Sequence, residues 1–150
     1  PIPSVVRTER FSFDVIETPG HSAGHVVLVE SSRGWCFCGD MFAGETVKVI
    51  RPEEDMRALV ASLKNLAQIE KENLTLFTAA GGIVENGREA LKNVCSFLED
   101  LSQKAKGLQN EGRTVREIMT SIFGGEHPRA EMTDGQFSTE NLIRSVLKMS

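Results

Sequence analysis

No run of 18 apolar residues occurs anywhere in this chain, whereas a helix that crosses a bilayer needs about 20. None of these residues therefore reads as a membrane-spanning helix. Cysteine is scarce as well. There are three, an odd number, and Cys36 and Cys38 stand one residue apart in an apolar run, a poor arrangement for pairing. That excludes a disulfide scaffold and leads us to expect reduced thiols in a cytoplasmic setting. Positive charge is short: 17 Lys and Arg against 21 Asp and Glu give a net charge of −4. An acidic surface repels phosphate backbones, so nucleic acid is not an expected partner without a local basic patch. The opening residues Pro1-Ile2-Pro3-Ser4 show neither a basic segment nor an apolar one, so they do not read as a signal peptide. They also lack a Met, and the expectation is a chain that begins inside a longer protein.

What is present is ordinary for a globular domain: 40% hydrophobic and 25% charged residues. A chain of 150 residues can bury roughly 70% of its unfolded surface and sustain one core. Phe11, Phe13 and Val15 alternate with Ser12, Asp14 and Ile16, the period of a strand at about 11–17. Val26-Val27-Leu28-Val29 is short and β-branched, as in a buried strand. The turn cluster Ser31-Ser32-Arg33-Gly34 then predicts a hairpin returning through Trp35-Cys36-Phe37-Cys38. A further short strand is expected at 46–50. Pro52 followed by Glu53, Glu54 and Asp55 suits a helix start, and Met56, Leu59, Val60, Leu63, Leu66 and Ala67 recur at helical spacing, so a helix is read at about 53–71. A strand at 74–77, a loop at Ala79-Ala80-Gly81-Gly82, a turn at Asn86-Gly87 and a helix at about 88–106 follow. The polar stretch 104–112, with two glycines, reads as a linker. Beyond it a helix ends at Gly124-Gly125, and Ser138 or Thr139 caps the last one. Strands followed by long helices predict an α/β or α+β layered domain.

Chemistry concentrates in Thr18-Pro19-Gly20-His21-Ser22-Ala23-Gly24-His25, which lies between two strands, and in Cys38-Gly39-Asp40 at the end of the hairpin. Imidazole nitrogen and carboxylate oxygen are natural ligands of Zn²⁺ and similar ions. Strand ends hold such groups rigidly, and an Asp can bridge two metals with its two oxygens. His21 and Asp40 are the candidate metal ligands. His25 reads more simply as a structural residue, and His127, before Pro128, as a solvated one. Cys36 and Cys38 share one strand face, which leaves open a soft-metal site with His21 beside the plainer reading of two small apolar residues.

The octapeptide 18–25 resembles the third metal motif of the metallo-β-lactamase superfamily, and Gly39-Asp40 is similar to its fourth. Val84-Glu85-Asn86-Gly87-Arg88-Glu89-Ala90-Leu91 resembles the segment that follows its fifth. The resemblance covers about residues 11–100. It implies an αββα sandwich with the site between strand ends, of which this chain would be the C-terminal half (1–106) followed by a helical extension (107–150). It implies that His21 ligates one metal, that Asp40 bridges two, and that His25 holds its loop by hydrogen bonding.

Two departures accompany the match. The first metal motif of the family, His-x-His-x-Asp-His, is nowhere in the chain, and Ala80 stands where the fifth motif would place a His. At most two of the usual ligands are supplied. Either the other half is another chain or was cut away, or this is a degenerate relative. The leading expectation is part of a metal-dependent hydrolase of esters, thioesters, lactones or phosphodiesters, inactive alone, using Zn²⁺ or else Mn or Fe, with a small-molecule substrate. The alternative is a non-catalytic interaction module. In both cases half a sandwich leaves a sheet face uncovered, so pairing with an N-terminal half or with a second copy is expected.

Overall fold

A computed structural model describes residues 2–70, 73–80 and 82–149. The chain opens with a short edge strand, β1 (Val5–Arg7), which had no signal in the sequence. It pairs antiparallel with β2 (Ser12–Glu17), which pairs with β3 (Val26–Glu30), which pairs with β4 (Trp35–Gly39). The three strands expected near 11–17, 26–30 and 35–39 are thus neighbours in one sheet. β4 then pairs in parallel with β5 (Thr75–Thr78), and a parallel pair needs a crossover. That crossover contains α1 (Met56–Ala67). A two-residue strand, β6 (Ile83–Val84), closes the order β1-β2-β3-β4-β5-β6. The helices α2 (Gly87–Asn110), α3 (Val115–Phe123), α4 (Arg129–Met132) and α5 (Thr139–Val146) follow.

The expected layered α/β architecture is present, with three local differences. Residues 46–50 alternate like a strand, but among the described residues they pair only through a single bridge from Ile50 to Ser138. The alternation there produces an extended loop whose apolar side chains turn inward. The helix expected from Pro52 starts only at Met56. Asp55 takes the cap instead, its carboxylate accepting from the backbone N–H of Arg57 and Ala58, the usual way to satisfy first-turn donors. Its expected end at Lys71 lies outside the described residues, and the last helical residue is Ala67. The supposed linker at 104–112 is helical through Asn110. Leu101 and Ala105 stay buried and Leu108 packs against the core, so the apolar stripe continues through a stretch whose other residues face water. In the loop after β5, Gly81 also lies outside the described residues. Asn86-Gly87, expected as a turn, is the start of α2, with Asn86 at its cap position.

The sheet has two unlike faces. On one, Val27, Val29, Cys36, Cys38 and Leu76 are buried in a single core with Leu59, Leu63, Leu66, Leu91, Val94, Leu98, Leu142 and Ile143 of the helices. The C-terminal helix is stitched to this layer: the Ser145 hydroxyl accepts from Met56 N–H and donates to the Glu54 carbonyl, and Ser102 donates to the Val146 carbonyl. The register Leu28↔Phe37↔Phe77↔Ile83 defines the other face. It is aromatic: Phe11 meets Phe13 and Trp35, Phe13 meets Phe37, and Phe37 stacks on Phe77 with ring centroids 4.6 Å apart. Phe37 is 39% and Ile83 65% exposed. Among the described residues no helical layer covers this face.

Candidate functional site

The loop between β2 and β3 is fastened to α1 before any side-chain chemistry enters. Gly20 sits at φ +140°, and a Cβ placed on it would lie 2.5 Å from the backbone N and Cα of Leu59. Only glycine fits such an approach. The Gly20 carbonyl accepts from Asp55 N–H at 2.8 Å, and the Pro19 carbonyl accepts from the Ser62 hydroxyl at 2.8 Å. Held this way, His21 projects toward the end of β4, where the chain turns after Gly39 and presents Asp40. The two expected ligands do meet: His21 Nε2 is 3.9 Å from Asp40 Oδ2. Asp40 is the more open of the two, its side chain 60% exposed.

His25 turns into its own loop. Its Nδ1 lies 2.8 Å from the Thr18 hydroxyl, its carbonyl accepts from Thr18 N–H, and Thr18 is fully buried. Burial lowers the pKa of His25 from its ordinary value, the His21 imidazole beside it adds to this, and Asp40 opposes it. It is a brace, as expected. His127 is half-buried, and its Nδ1 accepts from Arg129 N–H at 3.1 Å. It shapes the start of α4 from a partly exposed surface position. Cys36 and Cys38 are buried free thiols on the helical face. The contact between them, and after it burial, pushes the Cys36 thiol far up. They do not join His21. Among the described residues no cluster of three or more His, Cys, Asp or Glu side chains could hold a metal.

The groups around His21 were not legible in the sequence. Glu54, whose side chain is 9% exposed, faces its Nδ1 at 3.1 Å, and Arg51 Nη2 faces its Nε2 at 3.0 Å. Glu54 and Asp55 read alike beside Pro52, as acidic residues at a helix start. The fold gives them separate work: Asp55 caps α1, and Glu54 reaches back to His21 and to the Arg51 backbone N–H. These residues line a pocket of about 320 Å³ with Met41, Phe42, Val47, Ile50, Leu59 and Val94. Ala80 is in the same wall, presenting a methyl where the resemblance expects an imidazole. Phe137 and Arg129, from the C-terminal segment, complete the rim, the guanidinium 4.6 Å from the ring centroid.

The sheet thus carries one parallel crossover and one layer of helices, and the His–Asp pair stands just beyond the ends of β2 and β4. The family model described as the metallo-beta-lactamase superfamily matches residues 4–78, and the chain belongs to that superfamily. Hydroxyacylglutathione hydrolase GloC of Haemophilus influenzae is 23% identical over 90 residues, 59% of this chain and 42% of that protein. The lactamase-like protein aptB of Emericella nidulans is 26% identical over 132 residues, 80% of this chain and 41% of its own length. A metallo-beta-lactamase family protein from Thermus thermophilus superposes on 98% of this chain and 46% of its own, with a TM-score of 0.69 at 14% identity, which establishes the fold alone. The chain spans less than half the length of each of these proteins.

The superfamily generally binds divalent metals. The residues present here do not fit a resident one. A structural or catalytic zinc takes three or four protein donors, and among the described residues two come together, of which one, His21, already gives its outer nitrogen to Arg51. Among the described residues no helix is long and apolar enough to cross a membrane.

Proposed function

We propose that this chain is one part of a metal-dependent hydrolase, supplying two donors and a substrate-pocket wall to a site that further residues must complete. The observation that carries the reading is the meeting of His21 and Asp40 at the mouth of an apolar-walled pocket. The pocket suits a small molecule with an apolar body, and Arg129 at the rim offers a charged contact for a polar end. Esters, thioesters, lactones and phosphodiesters are the substrate classes. A thioester is the first to try, because one relative bears the name hydroxyacylglutathione hydrolase. Zinc is the ion proposed, with manganese or iron as alternatives, and a cytoplasmic setting suits three buried thiols.

By itself the chain is expected to show no turnover, since two donors neither hold a metal firmly nor leave it poised over a water. Incubation with thioester, lactone and phosphodiester substrates in the presence of Zn²⁺ or Mn²⁺ checks this. The expected rate is the background rate, unchanged in His21→Ala. Turnover that vanishes in His21→Ala would mean that the chain builds a working centre unaided. A second reading, a non-catalytic interaction module, is favoured by the uncovered aromatic face, and it shares the same expectation for turnover.

A further inference from the structure

The hydrogen-bonding roles of the two His21 ring nitrogens can be deduced from their neighbours. A neutral imidazole has one N–H and one lone-pair nitrogen, and a guanidinium can only donate. With Arg51 Nη2 at 3.0 Å, Nε2 must be the acceptor. The proton is then on Nδ1, where the Glu54 carboxylate accepts it at 3.1 Å. A carboxylate holding the inner N–H of a histidine is the usual support of a metal-binding imidazole, because it aims the opposite lone pair outward. His21 is thus oriented as a ligand would be, with a cation already on its lone pair.

Arg51 does not rest there by chance. Its Nη2 also donates to the His21 carbonyl at 3.4 Å. Its backbone N–H and its Nε both donate to Glu54 Oε1, at 3.0 and 3.5 Å, and Nε lies 3.4 Å from Glu53. Glu54 is itself anchored, its backbone N–H donating to the Arg51 carbonyl and its own carbonyl accepting from Ser145 of α5. One carboxylate therefore fixes both the imidazole and the guanidinium that faces it. The nitrogen has a single lone pair, which can go to a hydrogen-bond donor or to a metal at about 2 Å, but not to both.

We propose that Arg51 is a built-in occupant of the metal face of His21, a tethered cation that any metal ion must displace before His21 can ligate. The inference rests on the reading of His21 as a donor and adds the residue that competes with that role. It assigns Arg51 as a positioning residue: it keeps the His21 ring in place while no ion is bound, and weakens the binding of one.

The test is titration of the chain with Zn²⁺ alone, comparing wild type with Arg51→Gln by calorimetry, while long-range ¹H–¹⁵N spectra report the His21 ring. In the metal-free wild type the ring is expected to carry its proton on Nδ1. Arg51→Gln is expected to bind Zn²⁺ about tenfold more tightly or better, the ratio a charge-assisted hydrogen bond is worth, with the added shift at His21 Nε2. Arg51→Lys, which keeps the charge but loses the planar fork, is expected to give a smaller gain of the same sign, and it carries the test if the glutamine variant folds poorly. Equal affinity in wild type and both variants, with zinc on His21, would overturn the proposal and leave the donor reading standing. Absence of zinc binding in all three proteins, with the Nδ1 proton in place, would overturn both. A proton on Nε2 in the wild type would remove the basis of the inference directly.

Discussion

At micromolar concentration this chain is expected to sediment as a dimer or larger species, because one face of its sheet is built for burial and nothing among the described residues covers it. The face runs from Phe11 and Phe13 through Trp35 and Phe37 to Phe77 and Ile83. Scattered exposed apolar residues are normal on a protein surface, but a contiguous patch that spans a sheet is not. The surface of the chain measures 8862 Å². Covering ~800 Å² of apolar area, under a tenth of that, is worth roughly 20 kcal/mol at about 25 cal/mol per Å². Association costs on the order of 4–15 kcal/mol, so pairing is favoured. Phe37, stacked on Phe77 and 39% exposed, is the place to break it. Phe37→Glu is expected to shift the chain toward monomer while the helical core stays folded, read by sedimentation with circular dichroism on the same samples. A compact 16.5 kDa monomer with one cooperative unfolding transition, found for the unmodified chain, would contradict the expectation.

The second large effect is expected at Gly20. Gly20→Ala asks a side chain to adopt φ +140° and to place Cβ 2.5 Å from the Leu59 backbone. The backbone conformation alone costs a non-glycine residue on the order of 1–3 kcal/mol. The overlap cannot be relieved by a rotamer change, since the opposing atoms are main chain in α1. The loop must lift, and with it go the bonds from Asp55 N–H to the Gly20 carbonyl and from Ser62 to Pro19. A total loss of about 3–4 kcal/mol is expected, which for a domain of this size lowers Tm by roughly 6–15 °C. Thermal unfolding measures it. His21 is carried by the same loop, so its proton on Nδ1 should also be lost from the ring spectra. An unchanged Tm would mean that the loop is not seated on α1 as described.

Parts of this arrangement were legible in the residues and parts were not, for physical reasons. The meander β2-β3-β4 was legible because alternation and the turn cluster at 31–34 are local signals. The meeting of His21 with Asp40 followed from it, once both were placed at strand ends. β1 and β6 are too short for any period to register, three and two residues, and exist only because a neighbouring strand pairs with them. Residues 46–50 carry the period of a strand without joining the sheet, and tertiary context overrides such a pattern. In α2, the glycine at 107 and the polar run around it suggested a break, yet Leu101, Ala105 and Leu108 keep one face on the core. Arg51 and Glu54 gave no sign of their part in the site. They lie 30 and 33 residues from His21, and only the docking of the 18–25 loop on the start of α1 brings them together.

How many metal donors this chain supplies is the central point, and a zinc titration of the unmodified chain measures that most directly. A full set of four donors gives apparent binding of about 10–16 kcal/mol. Half of that set is worth roughly 5–8 kcal/mol, a dissociation constant no tighter than ~1 μM, and Arg51 weakens it further. The expected result is therefore one weak equivalent of Zn²⁺, lost in His21→Ala and Asp40→Asn. Two equivalents bound well below ~1 μM and abolished by the same substitutions would contradict the account, because the chain would then hold a complete dinuclear centre of its own.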